Sequence, residues 1–151
     1  MRVLGVDPGI TTGVAYYDSE TRKVLNRFDT KEPLEILGMI EDLASSGGLD
    51  VVVIEDVLGQ GMRDQNIIRT IKVLGAVEMF CLYKKVTVTR HPPQLRKHML
   101  REASSLLPPG SSTKHFRDAL AHCLAYCGLK KRREESRDRA RQQPNRADHP
   151  K

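Results

Sequence analysis

A chain of 151 residues with 39% hydrophobic side chains can bury one compact core and is too short for two substantial domains. Its formal charge of +6 suggests a polyanionic partner, yet nine Lys or Arg against four Asp or Glu from Lys130 onward hold +5 of it, leaving +1 for the rest. No stretch approaches the roughly 20 apolar residues of a membrane span, and no signal-peptide pattern opens the chain, so no membrane association and a reducing cytoplasmic compartment are expected.

Three strand-like segments come first, near residues 2 to 7, 12 to 18 and 22 to 29. Thr11-Thr12-Gly13 and Asp18-Ser19-Glu20 punctuate them as antiparallel turns. A helix over Pro33 to Ser45 follows from the spacing of Leu34, Ile36, Leu37, Ile40 and Leu43, and Ser45-Ser46-Gly47-Gly48 stops it. Val51 to Ile54 is an unbroken β-branched run, the pattern of a strand buried on both faces. A long helix over about 64 to 83 carries Ile67, Ile71, Leu74 and Phe80 on a broad apolar stripe. Val86 to Thr89 reads as a short strand, Pro92 and Pro93 suit a helix start, and 106 to 112 reads as a loop. The last periodic helix spans about 113 to 129, with Phe116, Ala119, Leu120, Cys123, Leu124 and Cys127 in one arc. Beyond Lys130 the chain has no apolar period. Pairs such as Glu135 with Arg139 extend the helix briefly before order is expected to be lost. The organisation is therefore one domain over residues 1 to 129 and a basic, disordered tail over 130 to 151. The fold class is α/β, a mixed five-stranded sheet flanked by helices, with its first three strands an antiparallel meander. Cys81, Cys123 and Cys127 fall in apolar helical segments without zinc-ribbon spacing and read as reduced, buried thiols.

Four side chains carry the candidate chemistry. Asp7 ends an apolar run and precedes Pro8 and Gly9, so its carboxylate stands at a strand end beside a turn. Glu55 repeats that setting after Val51 to Ile54. His115 and Asp118 are three residues apart, about 60° on a helical wheel and well off the apolar arc, so neither is a core residue. Taken singly, Asp7 is also an ordinary turn residue, Glu55 a cap, and the helical pair solvent-facing. Taken together they form a candidate metal-ligand and catalytic set: Asp7, Glu55, His115 and Asp118. Two divalent cations held a few Å apart can act on one scissile phosphate, one activating water and the other stabilising the leaving oxygen. Asp7 bridging both, with Glu55 and Asp118 beside it, suits magnesium; an imidazole at His115, as ligand or as holder of a water, makes manganese acceptable as well.

The stretches LGVDPGITTGVAYYD, VVVIED, LysValLeuGly at 72 to 75, ProProGlnLeuArg at 92 to 96 and HisPheArgAspAlaLeuAlaHis at 115 to 122 resemble the motifs of the RuvC-like Holliday junction resolvases of the RNase H-like superfamily. The resemblance covers roughly residues 1 to 128. Asp7, Gly9 and Gly13 stand at the first motif, Glu55 at the family's glutamate, Arg96 where the family has lysine, and His115 and Asp118 at the third and fourth positions. Many members have aspartate where this chain has His115, and the glycine-containing element that follows the family's lysine is not recognisable here. The resemblance implies an RNase H-like fold and a homodimer with the long helix at its interface. It also implies an endonuclease dependent on two Mg2+ or Mn2+ ions per active site, which nicks a four-way DNA junction symmetrically and leaves 5′ phosphates.

Arg96, Lys97, Lys114, Arg117, Lys72 and Arg69 are the candidate DNA contacts, with Arg63, Lys84, Lys85 and Arg90 as further surface cations. Three other readings stay open on sequence: an RNase H-like nuclease acting on other branched DNA or RNA, a sugar-kinase or actin-like phosphotransferase, and a non-catalytic DNA-binding protein. The phosphotransferase reading rests on AspProGlyIleThrThrGly, but such proteins close two domains over a nucleotide.

Overall fold

The computed structural model describes residues 1–56, 65–111 and 114–142, with side chains placed for all but 65–66 and 139–142. Arg63, among the candidate cations, and the expected loss of order at the end of the tail, 143–151, lie outside the described residues.

Five strands form one sheet in the order β3-β2-β1-β4-β5. Strands β1 (Arg2–Asp7), β2 (Thr12–Asp18) and β3 (Lys23–Thr30) are the antiparallel meander, while β4 (Val51–Glu55) and β5 (Thr87–His91) run parallel to β1. Helix α1 (Pro33–Ser45) leads from β3 to β4, and α2 (Gln65–Tyr83) from β4 to β5. Two short helices, α3 (Gln94–Lys97) and α4 (Leu100–Ser105), precede the long α5 (His115–Gln142). The mixed α/β sheet expected from sequence is thus the one formed.

Alternation along each strand decides which layer a side chain joins, because successive Cβ atoms point to opposite faces. Val3, Ala15, Val51 and Val53 pack beneath α5, on Ala119, Leu120, Cys123 and Leu124. Leu4, Val6, Val14, Val52 and Ile54 pack beneath α1 and α2 on the other face. With every residue of β4 buried, this strand is covered on both sides, as its unbroken apolar run requires.

Three elements depart from the expectation. The face that α2 buries is Val73, Leu74, Val77 and Cys81, while Ile71 points outward at 44% exposure; α2 is apolar on more than one side, so periodicity alone cannot choose between them. Strand β5 reaches two residues further than expected, to His91, and the α4 segment carries no period long enough to show in sequence. Helix α5 runs thirteen residues past Leu129, the extension expected from charge pairs such as Glu135 with Arg139. Its continuation is rich in Lys, Arg and Glu, which favour helix without an apolar face, and Lys130 with Glu134 and Lys131 with Glu135 stand at the supporting four-residue spacing. The three cysteines are free thiols: Cys81 and Cys123 are buried and Cys127 is partly buried.

Candidate active site

The site lies where β1 and β4 end and α5 begins. Parallel neighbours in register bring Val6 beside Ile54, so the next residues on each strand, Asp7 and Glu55, leave the sheet at the same edge. Helix α5 reaches this edge because two glycines let it. A Cβ at Gly13 would lie 2.1 Å from the His115 carbonyl carbon, and one at Gly5 2.2 Å from the Ala119 carbonyl oxygen. Any side chain at either position would lift the helix off the sheet. Asp29 on β3 fixes the same end, accepting a hydrogen bond of 2.8 Å from the Phe116 N–H at the start of α5.

These constraints bring the three carboxylates to one point. Arg96 Nη1, from α3, stands 2.7 Å from Glu55 Oε2, 3.3 Å from Asp7 Oδ1 and 3.4 Å from Asp118 Oδ2. His115 joins at the rim, half exposed, with Nδ1 3.3 Å from Asp7 Oδ2. All four residues singled out in sequence are therefore assembled. Arg96, singled out in sequence as a candidate DNA contact, stands at the centre of the cluster.

The residue that sequence reasoning passed over is His122. It sits one helical turn after Asp118, is fully buried, and its Nε2 lies 2.8 Å from Glu55 Oε2. Burial works to raise the Glu55 pKa, but the hydrogen bond from His122 and the Arg96 charge reverse this and hold it below the usual range. Ionised, Glu55 is an acceptor, so His122 donates from Nε2 and its Nδ1 is left as a buried atom without a hydrogen-bond partner among the described residues. Behind it His91 is buried too, its ring centroid 5.8 Å from that of His122. Desolvation and the neighbouring imidazole push the His91 pKa down to about 4. An apolar period cannot announce His122, since it lies at the edge of the buried arc; its signal is a histidine four residues after Asp118 on the same helix face.

Asp7 reports the charge balance of the cluster. Burial first, and the Glu55 carboxylate second, push its pKa up to about 8, and the opposing pull of Arg96 does not overcome them. The pair Asp7 and Glu55 thus holds a proton more readily than free carboxylates would, the mark of a cluster short of positive charge. Among the described residues, no three His, Cys, Asp or Glu side chains are placed as a ready-made ion site. The donor set nevertheless suits a hard cation. A guanidinium meets a carboxylate best as a two-pronged fork, whereas here one nitrogen is shared among three. A small divalent ion takes converging carboxylate oxygens directly, and it would supply the missing charge.

The remaining cations are dispersed. Arg117 binds Asp118 Oδ1 through Nε at 3.0 Å and Nη2 at 2.7 Å, beside the site. Lys97 and Lys114 are exposed near it, on α3 and just before α5. Arg69 donates to the Lys31 carbonyl at 2.8 Å, and Lys72 is exposed on α2. Lys84 pairs with Glu41, while Arg90 pairs with Glu78 and Asp56.

No protein-family model and no curated protein matches the sequence. Solved structures do match. Thermus thermophilus RuvC in complex with a Holliday junction substrate superposes with a TM-score of 0.72 at 19% identity, covering 87% of this chain and 95% of that one. A second Thermus thermophilus RuvC structure gives 0.64 at 23% identity, covering 87% and 96%. The fowlpox virus Holliday junction resolvase gives 0.54 at 16% identity, covering 83% and 97%. The five-stranded sheet and its helices are therefore the RuvC-like form of the RNase H-like fold, as the sequence motifs implied.

Proposed function

We propose that the protein is a metal-dependent endonuclease that resolves four-way DNA junctions. One observation carries the reading: Asp7, Glu55 and Asp118, from two strand ends and a helix start, converge within 3.4 Å of one cationic nitrogen. That is a place built to hold positive charge. The fold is the one adopted by resolvases whose structures include a junction complex, which favours branched DNA as the substrate class. Asp7, Glu55 and Asp118, with His115 at the rim, would hold Mg2+ or Mn2+, two ions per active site. Bound there, the ions supply Lewis acidity toward the phosphate and lower the pKa of water.

The protein's own groups have separate tasks. Asp7 gives up its proton when cationic charge replaces it. His122 holds the Glu55 carboxylate in one orientation from behind. Half-exposed His115 is placed to orient or relay a proton from water at the mouth of the site. Arg96, once released from the carboxylates, is within reach of a phosphate oxygen, and Lys97, Lys114 and Arg117 line its approach. Lys72 and Arg69 would meet DNA further out on α2.

Cutting two strands symmetrically requires two sites, so the acting unit would be a homodimer. Helix α2 supports this: opposite its buried face it exposes Ile68, Ile71, Met79 and Leu82, which fall along one stripe at 100° per residue. The products would be nicks carrying ligatable 5′ phosphates. The test is a synthetic four-way junction incubated with Mg2+ or Mn2+. Wild type should cut opposed strands, whereas Asp7→Asn, Glu55→Gln and Asp118→Asn should each bind the junction without cutting. Cleavage of linear duplex or RNA in preference to the junction would reassign the substrate.

A further inference from the structure

The helical continuation of α5 carries its charges unevenly. At 100° per residue, Lys130, Arg132, Arg133 and Arg137 fall within about 160° of the circumference, and Glu134, Glu135 and Asp138 occupy the other side with Lys131. All eight side chains are exposed. Among the described residues, none of Arg132, Arg133 and Arg137 forms an ion pair with an acidic side chain. A helix stabilised by its own charge pairs would interleave the two signs around the surface. Segregation leaves instead a strip in which positive charge predominates among the described residues, with Glu134 at its border.

The direction of that strip is informative. Arg133 and Arg137, with Lys130 and Arg90 outnumbering the single carboxylate of Glu134, line a groove against Thr89 and Pro92, and Arg132 closes a neighbouring hollow with Leu95 and His98. Leu95 immediately precedes Arg96, the cation at the active site. The basic face and the carboxylates thus border the same side of the molecule, joined through β5 and α3. They are also joined by α5 itself, which begins at His115 and runs unbroken to Gln142.

We infer that this face binds the phosphate backbone of a duplex DNA arm at a fixed distance from the cut. The inference rests on the junction-nuclease reading above. Charge complementarity selects the partner: exposed arginines spaced along one helical strip suit a regular line of phosphates. From Asp118 to Arg133 and to Arg137 the helix rises about 22 Å and about 28 Å, so an arm lying along α5 meets the strip roughly seven or eight base pairs from the scissile bond. The extension acts as a ruler on the arm, because the helix that carries Asp118 also carries the grip.

The test uses the full-length chain and a labelled four-way junction in chelator, so that binding is read without cleavage. Arg132→Gln, Arg133→Gln and Arg137→Gln combined, a change that keeps helix propensity, should weaken binding by at least about tenfold at moderate salt and flatten the salt dependence by about 0.9 per lost phosphate contact. Single-turnover cleavage at saturating protein should stay within about twofold, since no group at the cut is altered. On a junction whose hairpin-closed arms are shorter than about six base pairs, wild type and variant should bind alike. A control separates the face from net charge: Lys131→Glu and the pair Arg133→Gln with Arg137→Gln each remove two charges, and only the pair should weaken binding. Equal weakening by both, or a difference that persists on short arms, overturns the proposal. So does a change in oligomeric state in place of DNA affinity. Should wild type fail to cut junctions at all, the nuclease reading falls while the salt-dependent contrast between the two faces still decides this one.

Discussion

Asp7 shows most clearly how burial and charge compete in the site. Its pKa of about 8 lies above its unfolded value near 3.8, so between those limits the folded state binds a proton that the unfolded state does not. Stability of the metal-free protein should therefore be fullest near pH 4 with respect to this group and should fall as pH rises through about 8. Asp7→Asn removes that penalty: thermal melting in chelator should show the variant more stable than wild type, with the gap widening from pH 5 to pH 8 and closing when Mg2+ is added. His91 acts in the opposite sense, since it is folded neutral, and stability is lost as pH falls from about 6.5 toward about 4. His122 tests positioning. His122→Leu should reduce Mn2+ affinity by about 10- to 100-fold, the usual cost of losing a hydrogen bond behind a ligand, and His122→Gln, which still presents a donor, should recover part of it. Equal loss in both variants would mean that the residue serves packing alone. At this scale the four ionisable residues were legible because two of them follow apolar runs at turns and two lie off an apolar arc. The central position of Arg96, a residue singled out for DNA contact, and the burial of His122 were not, since both arise only when α3 and α5 are laid on the sheet.

Between residues and the molecule stand the elements, and the decisive one is α5. Its first turn presents His115 and Asp118 only because Gly13 and Gly5 allow the helix to touch β2 and β1. Gly13→Ala should then impair cleavage strongly without changing any ionisable group, and it should lower stability as well, because a Cβ would overlap the His115 backbone. Gly38→Ala is the matching control, with nothing within 4 Å of the added carbon, and should be neutral or slightly stabilising in its helix. The same helix marks the limit of periodicity. Apolar spacing identified α5 as far as Leu129 and then fell silent, although the helix continues on propensity and charge alone. Helix α2 shows a different limit: with apolar residues on two faces, its sequence could not say which face meets the sheet. Strand β4 was plain for the converse reason, since four successive β-branched residues favour a strand and their unbroken apolarity calls for cover on both faces.

For the whole molecule, the proposed homodimer would join the outward stripe of α2 to the two cuts that junction resolution would need. Met79→Glu with Leu82→Glu should leave the fold and the metal site intact, convert a dimer to a monomer by sedimentation, and replace paired cleavage of a junction with slow single nicks. A wild-type monomer in solution, or paired cleavage by the charged variant, would remove α2 from the interface. Everything else turns on whether the convergence of Asp7, Glu55 and Asp118 is a cation site that Arg96 fills when no metal is bound. The most direct measurement is Mn2+ titration of the full-length protein without DNA, followed by electron paramagnetic resonance, for wild type, Asp7→Asn and Arg96→Gln. Saturable binding in wild type, its loss in Asp7→Asn and tighter binding in Arg96→Gln are the expected results. Binding that is the same in all three would contradict the site.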